Sequence, residues 1–264
     1  MTAARPALAC FALLLIRQAA VAGQEVPPAG AAVPFHPASP TSLLAFSLIV
    51  IAVVAAFAWG TFVATRRESG DRAAQRATVR FQVALGVWLG LFSGFVGTGL
   101  VETRPLPFVP ITFVAVNGVA LAYAVSSHGA RLARHLPLAA LVGFQAFRLP
   151  LELVLHAWAA QGTIPVSMTW SGSNFDIVTG IAAVVLAPFA NRTAVAWVAN
   201  VIGLVLLANV ARVAMLSSPV PFGWPVEPKL LLVAHLPYAY IAPVCVAGAL
   251  AGHVILTRRL LGVR

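Results

Sequence analysis

Charge is scarce in this chain. Charged residues are 9% of its 264 positions, and only seven are Asp or Glu. A soluble domain carries about 25% charged residues, so a soluble fold is excluded. Lysine occurs once, at 229, and the remaining basic residues are arginines in short clusters between apolar runs. The formal charge of +10 therefore does not form the continuous basic face that a nucleic-acid partner needs. Cysteine occurs twice: Cys10 falls in the leader described below and Cys245 in the middle of an apolar run. No disulfide framework is available to them. Nucleotide-loop, dinucleotide and H-E-x-x-H patterns are absent, as are recognisable serine or cysteine nucleophile motifs. A retinal Schiff base needs a lysine well inside the last helix, and Lys229 sits only at its outer edge.

What is abundant is apolar surface: 60% hydrophobic residues and a mean hydropathy of +0.92. Such a chain resides in a lipid bilayer. Residues 1–22 read as a cleavable signal peptide, with Arg5 ahead of an apolar stretch and Ala20-Val21-Ala22 as the cleavage site. An uncleaved anchor is the alternative, kept open by Arg17. Residues 23–41 form an extracytoplasmic proline-rich linker. Residues 42–264 form an all-α, polytopic domain of seven transmembrane helices, because a hydrocarbon core of about 30 Å needs about 20 helical residues. The spans fall near 42–64, 81–101, 106–125, 136–160, 175–190, 193–216 and 230–256. Arg66, Arg67, Arg72, Arg76, Arg80, Arg131, Arg134, Arg192, Arg258, Arg259 and Arg264 then lie on one side, against Arg104 and Lys229 on the other. Positive charge stays in the cytoplasm, so the N-terminus is expected outside and the C-terminus inside. The composition fits a bacterial inner membrane. No internal repeat of the inverted-transporter kind is visible.

The stretch FRLPLELVLH places ionisable residues inside the fourth span. On a helix Gln145, Arg148, Glu152 and His156 occupy an arc of about 80°, a polar stripe that must face the bundle interior or a wet cavity. Pro150 lacks an N–H, so the helix is expected to kink or restart there. Other polar residues reach the same outer layer by topology: Asn174 and Asp176 opening the fifth span, Arg212 near the outer end of the sixth, His235 and Tyr238 early in the seventh, and Glu102 closing the second. Two ion pairs suggest themselves, Arg148 with Glu152 and Asp176 with Arg212. A metal site would use His156, His235, Glu152 and Asp176, since imidazole and carboxylate suit zinc or iron. No ligand spacing selects a metal or haem, and no cofactor is named by the sequence. Gly86, Gly90 and Gly94 form a double GxxxG ladder suited to close helix packing.

The run FRLPLELVLH, followed by GTIPVSMTW and SNFDIVTG, resembles a pattern in uncharacterised multi-pass bacterial membrane proteins, over roughly residues 145–182. The resemblance implies that Arg148, Glu152, His156, Asn174 and Asp176 belong to one unit, and it implies no activity. The sequence thus points to an inner-membrane protein whose polar intramembrane pocket, open to the outside, binds a small polar molecule or ion. Two alternatives are a membrane-embedded, metal-dependent enzyme and an assembly or sensing partner with structural ion pairs. The lipid bilayer is the expected surrounding and nucleic acid is not an expected partner.

Overall fold

The computed structural model describes residues 34–262, so the leader at 1–22 and the linker up to residue 33 lie outside the described residues. Among the described residues every regular element is helical. Six segments of the described residues are long and apolar enough to cross a membrane, which makes the chain a polytopic helical bundle.

Helix α1 (Pro40–Ser69) starts where Ser39 Oγ accepts the Ser42 N–H and Pro40 fills the first turn, a position that needs no backbone donor. It runs to Gly70, whose φ of 80° is open to glycine at no steric cost. Helix α2 (Asp71–Gly97) begins at the next residue. The segment 65–80, expected as a cytoplasmic connection, is therefore helical apart from Gly70. Its Arg, Ala, Gln and Glu residues are good helix formers once they pass beyond the apolar core.

A short helix α3 (Leu100–Thr103) leads into α4 (Pro105–Val125). Ser126 caps α5 (Ser127–His135) by accepting the His128 N–H at 3.1 Å. Glu68 on α1 pairs with Arg131, and with Arg134 at 2.9 Å, which ties α5 across the end of the bundle. The fourth span is composite. Helix α6 (Leu138–Gly143) tightens into a 3-10 turn at Phe144–Phe147, and α7 (Arg148–Ala160) starts beyond it. Pro150 thus lies in the first turn of a restarted helix, where its missing donor is tolerated.

The fifth expected span is shorter than the sequence suggested. Helix α8 (Ile177–Leu186) and its final turn reach only Phe189, about 20 Å at 1.5 Å per residue. Buried Asp176 fixes its start inside the bundle and Pro188 closes it. After α9 (Thr193–Ser217), residues 230–237, expected to be helical, hold no α-helix but only a 3-10 turn at Leu232–Ala234, and His235 has extended backbone (φ −124°, ψ 121°). The last span enters through a 3-10 turn at Tyr238–Ile241 and a π turn at Ala242–Val246 before α10 (Ala247–Leu260). Pro237 and Pro243 each remove a donor, which prevents a regular ladder there.

This last span is the centre of the molecule: 72% of an apolar eighteen-residue stretch of it is buried, against 11% of the corresponding stretch of α2. Glycines let its neighbours close in. A Cβ at Gly252 would sit 2.8 Å from Gln145 Nε2 and from the Phe144 ring, and one at Gly180 would sit 2.8 Å from Leu149 Cα. By contrast, Gly86, Gly90 and Gly94 are exposed on α2, and a Cβ at any of them would meet nothing within 4 Å. Among the described residues the ladder packs against no helix. The close approaches are at Gly180, Gly203 and Gly252, on α8, α9 and α10.

Candidate functional site

The residues of the polar stripe do face inward. Gln145, Arg148 and Glu152 are 3%, 2% and 2% exposed. Arg148 Nη1 donates to Asp176 Oδ1 at 2.9 Å and, across the bundle, to the carbonyl of Gly203 on α9 at 3.4 Å. Glu152 Oε1 accepts from Asn174 Nδ2 at 2.9 Å. The pairs are thus Arg148–Asp176 and Glu152–Asn174, replacing the expected Arg148–Glu152 and Asp176–Arg212. Among the described residues Arg148 forms no ion pair with Glu152, one turn further on. It finds its partner at the head of α8.

That head is held by its own short-range bonds. Asn174 Oδ1 accepts the Asp176 N–H at 3.1 Å, Asn174 Nδ2 also donates to the Met168 carbonyl at 3.1 Å, and Thr179 Oγ1 donates to Asp176 Oδ1 at 2.9 Å. The first is an Asx turn, the local bond by which asparagine organises a chain reversal. Gly180 allows α8 to lie against the backbone of Leu149, which brings Asp176 and Thr179 over Arg148. Thr179 and Gly203 are the site residues that sequence reasoning missed. Thr179, three residues after Asp176, carried a local signal, but nothing near Gly203 announced that its carbonyl would receive the guanidinium.

Four of the expected site residues therefore meet: Arg148, Glu152, Asn174 and Asp176. The others are placed elsewhere. Arg212 is exposed, donates to Asn209 Oδ1 at 2.9 Å, and lies 5.3 Å from the centre of the Trp224 ring. His156, half-buried one turn beyond Glu152, stacks on Trp170 with ring centres 4.2 Å apart. His235 stacks on Phe35 at 4.0 Å. The Tyr238 hydroxyl accepts the Ala38 N–H at 2.9 Å, a bond that secures the entry to α1. Glu102 is exposed at the end of α3. The proposed metal set is not assembled: among the described residues no three His, Cys, Asp or Glu side chains are grouped to hold an ion. Both imidazoles are stacked on aromatic rings, and among the described residues His156 Nδ1 and His235 Nε2 are buried without a hydrogen-bond partner.

A second polar group lies behind the first. His253 Nδ1 is 2.9 Å from Asn200 Oδ1, and Asn200 Nδ2 donates to Thr257 Oγ1 at 2.7 Å. A Cβ on Gly203 would collide with the His253 imidazole, so Gly203 joins the two groups by its carbonyl on one side and its bare Cα on the other.

A cavity of about 100 Å³ borders Arg148, Glu152 and Asp176, with walls from α4, α9 and the irregular segment ahead of α10. Glu152 Oε2 is buried beside it without a hydrogen-bond partner. The cluster holds two carboxylates against one guanidinium. Fully ionised it carries one uncompensated negative charge, which an apolar interior disfavours by several kcal/mol, roughly. The arrangement can accept a proton, a cation or a hydrogen-bond donor at that oxygen.

The sequence matches no protein-family model and no curated protein, and the fold matches no solved structure.

Proposed function

We propose that this multi-pass membrane protein binds a small polar molecule or ion at the Arg148–Glu152–Asp176 cluster, from the extracytoplasmic half of a bacterial inner membrane. The observation that carries the reading is the Glu152 carboxylate: 2% exposed, bordering a cavity, with one oxygen bonded to Asn174 and the other, among the described residues, without a partner. A buried acceptor left unsatisfied costs about 1–3 kcal/mol, so an occupant offering a donor or positive charge is stabilised there. The arginine asymmetry between the two sides supports the orientation.

A second reading, an assembly or sensing partner with structural ion pairs, is favoured by the Arg148–Asp176 contact, which is already satisfied at 2.9 Å. Native mass spectrometry of the purified full chain separates the two. Under the binding reading, a species of fixed mass accompanies the wild type and falls about tenfold in folded Glu152→Gln, the effect of losing one charge-assisted contact. A wild type without such a species, or one whose occupancy is unchanged in Glu152→Gln, would overturn it in favour of the structural reading.

A further inference from the structure

The walls of the cavity beside Glu152 differ from its floor. Val109, Val116, Leu207, Val210, Ala211 and Ala214 line it from α4 and α9. Three further lining residues carry polar atoms but turn their donors to their own backbone. Thr112 Oγ1 donates to Phe108 O at 2.7 Å, Asn117 Nδ2 to Phe113 O at 2.8 Å, and Ser218 Oγ to Ala214 O at 2.8 Å. Among the side chains lining this cavity, Glu152 supplies the one buried polar atom without a partner. From the aqueous side the cluster is covered by the loop between α7 and α8, where Ile164 and Asn174 are 0% exposed. At the side, Phe113 lines the cavity and is itself 36% exposed on the lipid-facing surface of α4.

We infer that the occupant is an amphiphile with a primary-ammonium head and an aliphatic tail, which enters sideways from the bilayer between α4 and α9. The head donates to Glu152 Oε2 and cancels the surplus negative charge of the cluster, and the tail lies along the apolar walls. A small solute arriving from water would lose most of its hydration against walls that are mainly aliphatic, where Thr112, Asn117 and Ser218 have already turned a donor to their own backbone. A tail arriving from lipid exchanges one apolar surrounding for another and leaves only the head to be desolvated, against an unpaired carboxylate. The inference rests on the binding reading above and adds the class of ligand and its route.

The test uses the full chain in phosphatidylcholine nanodiscs and three photoreactive diazirine probes: a dodecylamine, a dodecanol with the same tail, and a propylamine. The dodecylamine probe is expected to label peptides of α4 and α9, and this labelling to fall about tenfold in Glu152→Gln, as expected for loss of one charge-assisted contact. It should fall similarly in Ala211→Leu, which narrows the cleft without touching the cluster, whereas dodecanol labelling should not respond to Glu152→Gln. Dodecylamine labelling insensitive to both substitutions overturns the proposal. Glu152-dependent labelling by propylamine that is unchanged in Ala211→Leu also overturns it, while leaving a small-ligand site in place. Because Ala211→Leu keeps every charge, the test survives even where Glu152→Gln fails to fold.

Discussion

Arg148 is 2% exposed and, among the described residues, has a single carboxylate, Asp176, at ion-pair distance, so the two carboxylates of the cluster are unequal in what they support. Removing the charge of Asp176 strands a buried guanidinium. Asp176→Asn is expected to cost about 3–5 kcal/mol. Glu152→Gln keeps an oxygen for Asn174 and replaces an unpaired acceptor, and should cost about 1 kcal/mol or less. Unfolding of the purified variants in mixed micelles measures both, and the reverse order would show that Glu152 is the counter-charge. At this scale the stripe was legible because ionisable residues are conspicuous against an apolar background. The partners were not. Which carboxylate meets Arg148 depends on the crossing of α8 over α7 at Gly180 and on the Asx turn at Asn174, and neither follows from span boundaries. The same holds for His156 and His235: their polarity was visible, but their stacking on Trp170 and Phe35 depends on loop paths that hydropathy does not trace.

Between elements, the decisive contact is the crossing of α8 over the start of α7 at Gly180. Gly180→Ala would place a Cβ 2.8 Å from Leu149 Cα, backbone that cannot swing aside, and should destabilise the protein by about 1–3 kcal/mol through overpacking. Gly90→Ala is the control. With nothing within 4 Å of the added atom, it should be neutral or gain up to about 1 kcal/mol from helix propensity. Thermal denaturation of the two variants side by side is the measurement, and equal effects would remove the special role of the α7–α8 crossing. Element existence was readable because long apolar runs have few other fates. Breaks were less so. The 3-10 turn at Phe144–Phe147 interrupts a run whose composition hardly changes, Pro243 marks the π turn at Ala242–Val246 without fixing its form, and a GxxxG spacing indicates room for a neighbour without saying that one is present.

For the whole molecule, the orientation argued from arginine placement has a direct check. Reporter fusions after residues 70 and 130 should report cytoplasm, and one after 168 the exterior; the opposite pattern would put the Glu152 cavity in the inner half of the membrane. Composition already implied a polytopic bundle, since a chain this poor in charge has no other stable setting. The arrangement in which Tyr238–Leu260 is central and α2 peripheral was not implied, because all the spans are comparably apolar. The α1–α2 hairpin has a mechanical consequence. Thirty and 27 residues make helices of about 45 and 40 Å, longer than a hydrocarbon core of about 30 Å, joined through Gly70 alone. Arg66, Arg67, Arg72 and Arg76 ring the tip of this stiff prong and hold it at the headgroups. A thinner bilayer cannot let the prong sink, so it must lean, and Gly70 is the joint about which its two arms can shift.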